Sequence, residues 1–362
     1  MSEKIRVLVV DDSAFMRKVI PQIIQEDTSM EVVGTARDGK DAFKKAAELS
    51  PDVITMDVEM PGMDGLSTIG LIMKEKPTPV IMLSAYTPRG AEITLRALEQ
   101  GAVDFVCKPS GAISLDIKKV QKELHEKIRA AANIDMSKIT PVEEGGAEVS
   151  KEKFQDKTPT VMVCIASSTG GPRALTSVVP KITKMSLPAA YLVVQHMSEG
   201  FTATLASRLN SQSVIKVREA KDGEEILAGT AYLAPGNFHM EILRDNGRYF
   251  ITLNQKPQKN GVRPSADYTM ASVAERFEGK KIGVILTGMG KDGAEGAEKM
   301  KKAGAVVMAQ DRETSVIYGM PRVVTERGLA DRVLPLESVA DNIMDEIEKA
   351  HGDVFNTLLQ VM

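Results

Sequence analysis

The chain has no tryptophan, two cysteines and four histidines in 362 residues, and aromatic residues make up only 4% of it. Cys107 and Cys164 each fall in an apolar strand-like run with no CxxC or Cys/His cluster nearby, which leaves nothing for a disulfide framework and predicts reduced core thiols. No apolar run approaches the roughly 18 residues of a membrane span, and the opening MSEKIRVLVV meets Asp11-Asp12 too soon for a signal peptide. The cytoplasm is the expected location. Neither sign of charge dominates. Lys and Arg total 46 against 49 for Asp and Glu, a net charge of -3, so no global basic field recruits nucleic acid or anionic lipid. What is present is globular in make-up, 43% hydrophobic and 26% charged, at a length that suits two domains with separate cores.

From residue 4 to about 132, short β-rich runs (IRVLVV, MEVVGTA, VITMDV, VIMLS, DFVC) alternate with amphipathic helical stretches. That rhythm predicts a parallel sheet covered on both faces. Residues 133–159 are polar, contain Gly-Gly and Pro, and read as an interdomain linker. The alternation then resumes with TVMVCIA, AAYLVVQH, KKIGVILT and AVVMAQ as strands, and with helices near 172–183, 201–210, 265–278 and 292–303. FHMEILRDNGRYFITLNQ interrupts it as a hairpin around Asn246-Gly247. No internal repeat is evident.

In the first domain, polar residues stand at the carboxyl ends of the strands: Asp11 and Asp12, Asp57, Ser84 and Lys108. Strand ends of an open parallel sheet share the edge where ligands bind. A single Asp there would do no more than cap a helix. Three carboxylates together repel, and a hard cation such as Mg²⁺ relieves them while leaving positions for phosphate. Asp57 could then act as a nucleophile and form an aspartyl phosphate.

In the second domain, TGMGKDG holds a literal GxGxxG at Gly288, Gly290 and Gly293, with Asp311 about 18 residues on, as a dinucleotide-binding fold would have it. That reading leaves two other polar strand ends without a role, Ser167-Ser168-Thr169 and His196. Together with Asp292 they bring a hydroxyl, an imidazole and a carboxylate to one sheet edge, the three parts of a serine hydrolase. The order Ser, His, Asp and the absence of GxSxG point to a scaffold other than the chymotrypsin, subtilisin and α/β-hydrolase folds.

Two family resemblances add to this. Over residues 4–125, VVDDSAFMR, DVEMPGMDG, Ser84 and Lys108-Pro109 resemble the two-component receiver family. The resemblance implies that Asp57 accepts phosphate from a histidine kinase, that Asp11, Asp12 and Asp57 hold Mg²⁺, and that Ser84 and Lys108 bind the phosphoryl group. Phe105 matches the aromatic switch position, and a buried core Phe explains it equally well. From about 160 to 350, SSTGG, VVQHM followed by FT, LAPGNFHM, RPSADY and LTGMGKDG resemble the catalytic domain of the chemotaxis protein-glutamate methylesterases.

This second resemblance implies Ser168 as nucleophile in preference to Ser167, His196 as general base then acid, and Asp292 as its orienting acid. It puts the oxyanion hole at the backbone N–H groups of Thr169 and Met289. It also implies deamidation of receptor glutamines, an esterase reaction without a cofactor, and the cytoplasmic helices of methyl-accepting chemoreceptors as substrate. His239 is the rival base, and Arg263 is placed near the substrate mouth with a surface salt bridge as its alternative. Val262 stands where the family often has His.

The expected fold is α/β: two doubly wound domains with mostly parallel sheets, a flavodoxin-like receiver (1–132) and a Rossmann-like esterase domain (160–350) with an added antiparallel hairpin, joined by linker 133–159 and followed by tail 351–362. Two rival functions are a receiver-regulated dinucleotide-dependent oxidoreductase and a non-enzymatic output module. The second lacks any basic helix-turn-helix stripe, and neither nucleic-acid binding nor membrane insertion is expected.

Overall fold

In the computed structural model the chain divides into two compact units, Met1–Glu143 and Glu144–Met362. The structure describes residues 3–60, 65–85, 87–108, 114–139, 157–183 and 188–361, without the side chains of 88, 114–119 and 351–361. Residues 61–64 of the DVEMPGMDG motif, Pro109 and positions 140–156 of the expected linker lie outside the described residues, as do the side chains of the tail.

The first unit is a five-stranded sheet of β1 (Ile5–Val10), β2 (Met30–Ala36), β3 (Val53–Asp57), β4 (Val80–Ser84) and β5 (Asp104–Cys107), in the order β2-β1-β3-β4-β5. All its pairings are parallel. Helices α1 (Met16–Gln25), α2 (Gly39–Leu49), α3 (Gly65–Glu75), α4 (Pro88–Glu99) and α5 (Ser114–Ala131) connect and follow the strands. β3 and β4 are buried at every position because helices cover both faces, so their sequences read as continuous apolar runs. Local caps set the helix starts. Asp38 accepts the Asp41 N–H ahead of α2, and Thr87 accepts the Gly90 N–H ahead of α4. Residues 133–139 form a short 3-10 turn at Met136–Lys138 after α5.

The second unit has β6 (Val161–Ser167), β7 (Ala189–Gln195), β8 (Lys216–Glu219), β9 (Thr230–Leu233), β10 (His239–Asp245), β11 (Arg248–Asn254), β12 (Lys280–Ile285), β13 (Val306–Gln310) and β14 (Arg332–Leu334). Its helices are α6 (Gly171–Val178), α7 (Phe201–Gln212), α8 (Ala266–Arg276), α9 (Ala294–Lys302), α10 (Met320–Glu326) and α11 (Val339–Val361). Seven strands form one parallel sheet in the order β14-β13-β12-β6-β7-β9-β8. The chain runs outward from β6 through β7 and later returns to β6 on its other side with β12. The crevice at this change of direction lies at the carboxyl ends of three adjacent strands, β7, β6 and β12.

The hairpin turns at Asn246-Gly247, both with positive φ, and pairs from His239↔Asn254 to Asp245↔Arg248. It forms a sheet of its own. β10 turns its backbone to α8 instead of a strand: Thr269 Oγ1 donates to Met240 O at 2.6 Å, Ile242 N donates to Ser272 Oγ at 3.1 Å, and Arg276 Nη1 donates to Ile242 O at 2.7 Å. Side-chain donors and acceptors thus satisfy the strand edge that would otherwise seek the main sheet.

Met240, Ile242 and Ile251 from the hairpin share a core with Leu192 and Val194 of β7, Tyr232 of β9, and Met270 and Val273 of α8. Leu192 is fully buried there. Leu192→Ala should therefore lower the stability of this unit by about 2–5 kcal/mol, read from the shift of its denaturant unfolding transition. A loss below about 1 kcal/mol would place Leu192 outside a packed core.

Candidate functional site

Two constellations form, one in each unit. In the first, the ends of β1 and β3 bring Asp11, Asp12 and Asp57 together, with one carboxylate oxygen from each within 4.8 Å of the others. Lys108, just past β5, reaches across with Nζ 2.8 Å from Asp11 Oδ2 and 2.7 Å from Asp57 Oδ2. Burial pushes the Asp57 carboxyl up, against the pull of Lys108. Burial alone would lower the Lys108 ammonium, but Asp11 and Asp57 outweigh it and hold the group above its ordinary value.

Asp11 is fully buried, and among the described residues Lys108 Nζ is the cation that meets its Oδ2. A buried carboxylate beside a second buried and a third exposed one, with a single lysine ammonium bridging two of them, suits a hard divalent cation. Ser84 ends β4, fully buried, and its hydroxyl donates weakly to Ala85 O at 3.3 Å. Phe105 is buried in β5 beneath Lys127, whose Nζ lies 5.1 Å from the ring centroid.

In the second unit, Ser168 follows β6, His196 follows β7 and Asp292 lies in the loop between β12 and α9. His196 Nε2 lies 2.8 Å from Asp292 Oδ2. Nε2 therefore donates its proton to the carboxylate. Gln195 ties the first two segments, its Nε2 donating to Ser168 O at 2.9 Å and His196 O at 3.1 Å. Its Oε1 accepts from Ser167 Oγ at 2.6 Å. Ser167 is thereby fully buried and engaged, while Ser168 is only partly buried. Of the two adjacent hydroxyls, Ser167 Oγ is buried against Gln195, while Ser168 stands past the end of β6.

Thr287 ties the third segment. Its carbonyl accepts Ser168 N–H at 3.0 Å, and its Oγ1 donates to Thr169 O at 3.0 Å and accepts Ile317 N–H at 3.0 Å. The Gly288–Gly290 loop consequently lies against Ser168. A Cβ on Gly288 would meet Met320 Sδ at 2.5 Å and Ser168 Cβ at 2.7 Å, so only glycine fits. Met289, partly buried, is carried on this loop beside the Ser168–Thr169 segment.

Residues 163–343 match the family model described as CheB methylesterase, and residues 7–118 match that of the response regulator receiver domain. The chain is 49% identical to the protein-glutamate methylesterase/protein-glutamine glutaminase of Thermotoga maritima, covering 94% of this chain and 98% of that protein. It is 46% identical to the protein of the same name from Pyrococcus abyssi, covering 96% and 95%. The solved catalytic domain of the Thermotoga maritima CheB methylesterase superposes with a TM-score of 0.51 at 46% identity, over 53% of this chain and all of that one. The chain belongs to the CheB methylesterase family.

In this CheB-family chain the GxGxxG is a packing device. Gly288 makes room for Ser168, and Asp311 accepts from Thr314 N and Oγ1 at 2.9 and 2.6 Å, closing a local turn. His239 is fully buried, with Nε2 donating to Pro257 O at 3.2 Å and Nδ1 accepting Ser265 N–H at 3.2 Å. Burial also holds its pKa below the ordinary value, so the ring is a neutral strut with both nitrogens in use. Among the described residues Arg263 makes no salt bridge. It donates to Asn237 Oδ1 at 2.7 Å and to the carbonyls of Gln255 and Lys256, both at 3.2 Å, pinning the 235–238 loop to the 255–263 segment.

Sequence reasoning missed the donors around Asp292. Ser265 Oγ and Asn260 Nδ2 donate to its Oδ1 at 2.6 and 3.1 Å, and Ala266 N donates to its Oδ2 at 2.6 Å. Asn260 stands in an Asn-Gly pair like that of the hairpin, the one signal that could have marked it. Burial pushes Asp292 up, but the His196 contact, Ser265 and the Ala266 N–H outweigh it and hold the carboxyl at about 2.

A carboxyl depressed below its ordinary 3.8 stabilises the folded state above that pH and loses the contribution as pH falls toward about 2. Asp292→Asn should therefore destabilise the unit near neutral pH, by a margin that shrinks on acidification through that window. Denaturant midpoints of parent and variant across the range check this, and a difference independent of pH would contradict it.

Proposed function

We propose that this chain is a phosphorylation-activated serine esterase that hydrolyses glutamate γ-methyl esters on chemoreceptors to glutamate and methanol, and deamidates receptor glutamines as a second activity. The observation that carries the reading is the 2.8 Å contact of His196 Nε2 with buried Asp292, on strand ends bound through Gln195 and Thr287 to the Ser168 segment. Residues 1–132 act as receiver, 133–159 as linker, 160–350 as catalytic domain and 351–362 as tail. The partners are a chemotaxis histidine kinase and the cytoplasmic helical region of methyl-accepting chemoreceptors, and the protein works in the cytoplasm.

Ser168 Oγ attacks the γ-carbonyl carbon while His196 Nδ1 takes its proton. Asp292 holds the ring by Nε2–H and stabilises the imidazolium. The carbonyl oxygen becomes an oxyanion directed at the backbone N–H groups of Thr169 and Met289. Collapse breaks the C–O bond to the methoxy group, which leaves as methanol with the proton from His196; a glutamine side chain loses ammonia in the same way. A water, deprotonated by His196, then attacks the acyl-enzyme, and Ser168 departs with its proton restored. The first unit supplies control. Asp57 attacks a phosphohistidine phosphorus, forming the O–P bond as the P–N bond breaks, while Lys108 and Ser84 bind the phosphoryl oxygens. Asp11, Asp12 and Asp57 would hold Mg²⁺, which would supply positive charge for phosphoryl transfer. Phosphorylation biases a two-state element, with Phe105 as its aromatic reporter.

Two measurements test this. Ser168→Ala should abolish methanol release from methylated receptor yet still incorporate phosphate at Asp57; undiminished turnover would remove the triad. A small phosphodonor should raise methanol release by the parent and leave Asp57→Ala unlabelled and unstimulated, whereas equal labelling of the variant would displace Asp57 as acceptor.

A further inference from the structure

Asp292 has a second buried carboxylate for a neighbour. Asp267, in the first turn of α8, is 2% exposed, the same as Asp292. Its Oδ1 accepts Gly296 N–H at 2.8 Å, and the nearest ammonium, Lys259 Nζ, stands 3.9 Å from Oδ2 and is itself engaged by Glu295 at 2.6 Å. The group that reaches both acids is the Asn260 amide, whose Nδ2 donates to Asp267 Oδ2 at 2.9 Å and to Asp292 Oδ1 at 3.1 Å. A tight turn holds it there. Lys259 N bonds Val262 O at 3.2 Å and Val262 N bonds Lys259 O at 3.0 Å, while Asn260 and Gly261 take φ of 55° and 79°.

We propose that Asn260 is a positioning residue for the esterase site, a shared donor that lets two buried carboxylates stand side by side so that Asp292 stays ionised and aligned on His196. The inference rests on the serine-esterase reading. Two like charges at close range in a dry site share a proton unless donors separate them. Burial and the Asp292 charge already push the Asp267 carboxyl above its ordinary value. The other charged or titratable groups around the pair are His196 after β7, Lys259 on the turn, Glu295 on α9 and neutral His239 on β10. Without the amide, the pair takes up a proton at higher pH, on Asp267 first, and Asp292, drawn toward that proton, loses its alignment on His196 Nε2–H.

The test is the rate at which a fluorophosphonate labels Ser168 in the full chain, followed against pH, because this reaction needs the triad and no receptor. Asn260→Gly keeps the positive φ of the turn and removes only the amide. It should label on the order of tenfold more slowly near neutral pH, with the acid limb of the profile moved to higher pH. Adding Asp267→Asn to that variant should restore both rate and limb, since a neutral neighbour needs no shared donor. An unchanged Asn260→Gly profile, or a loss that Asp267→Asn does not restore in a protein of parental melting temperature, overturns the proposal.

Should Asn260→Gly fail to fold, Asp267→Asn alone decides. The acid limb should move to lower pH, and an unmoved limb overturns the proposal. A parent that is not labelled at Ser168 at all would instead defeat the esterase reading itself.

Discussion

A carboxylate placed where water cannot reach must be met by donors, and Asp292 is met by four: His196 Nε2, Ser265 Oγ, Ala266 N and Asn260 Nδ2. An unpaired buried charge would cost several kcal/mol, so the fold can close only with all of these segments in place. The turn before α8, the start of α8 and the end of β7 are thereby indexed to one another through a single side chain. The imidazole orientation follows from this. Nε2 is committed to the acid, and Nδ1 is the ring nitrogen that faces away from it.

The two units apply the same placement rule to opposite electrostatic ends. Both use the carboxyl edge of a parallel sheet at a change of strand direction. Around Asp292 the negative charge is balanced by hydrogen-bond donors within the protein, so that site has its own complement of partners. Around Asp57 three carboxylates face one lysine among the described residues. That imbalance is what makes the first site responsive to added charge.

Neutral side chains carry much of the alignment. Gln195 and Thr287 contribute no charge, yet their hydrogen bonds join the ends of β6, β7 and β12 and fix where Ser168 leaves the sheet. Gly288 completes the fit by subtraction, since any Cβ there would displace Ser168.

Period and strand ends were legible in the residue order. Long apolar runs marked β1, β3, β4, β6, β7 and β12, because a parallel sheet covered on both faces admits little else, and the polar residues that stop those runs were Asp11, Asp57, Ser84, Ser168 and His196. Short edge strands were not legible: β8 and β14 are three or four residues long, carry charge and are only partly buried, so no apolar period distinguishes them from loops. Nor could periodicity detach the hairpin from the main sheet, which depends on Thr269, Ser272 and Arg276 meeting β10 from a helix almost thirty residues away. The residue order alone thus determined which side chains would arrive at the sheet edge. Which of them would touch, with Ser167 turned inward, His239 consumed as a strut and Asn260 set between two acids, was decided by tertiary structure, because hydrogen-bond partners are chosen by register and packing across segments that the chain itself keeps far apart.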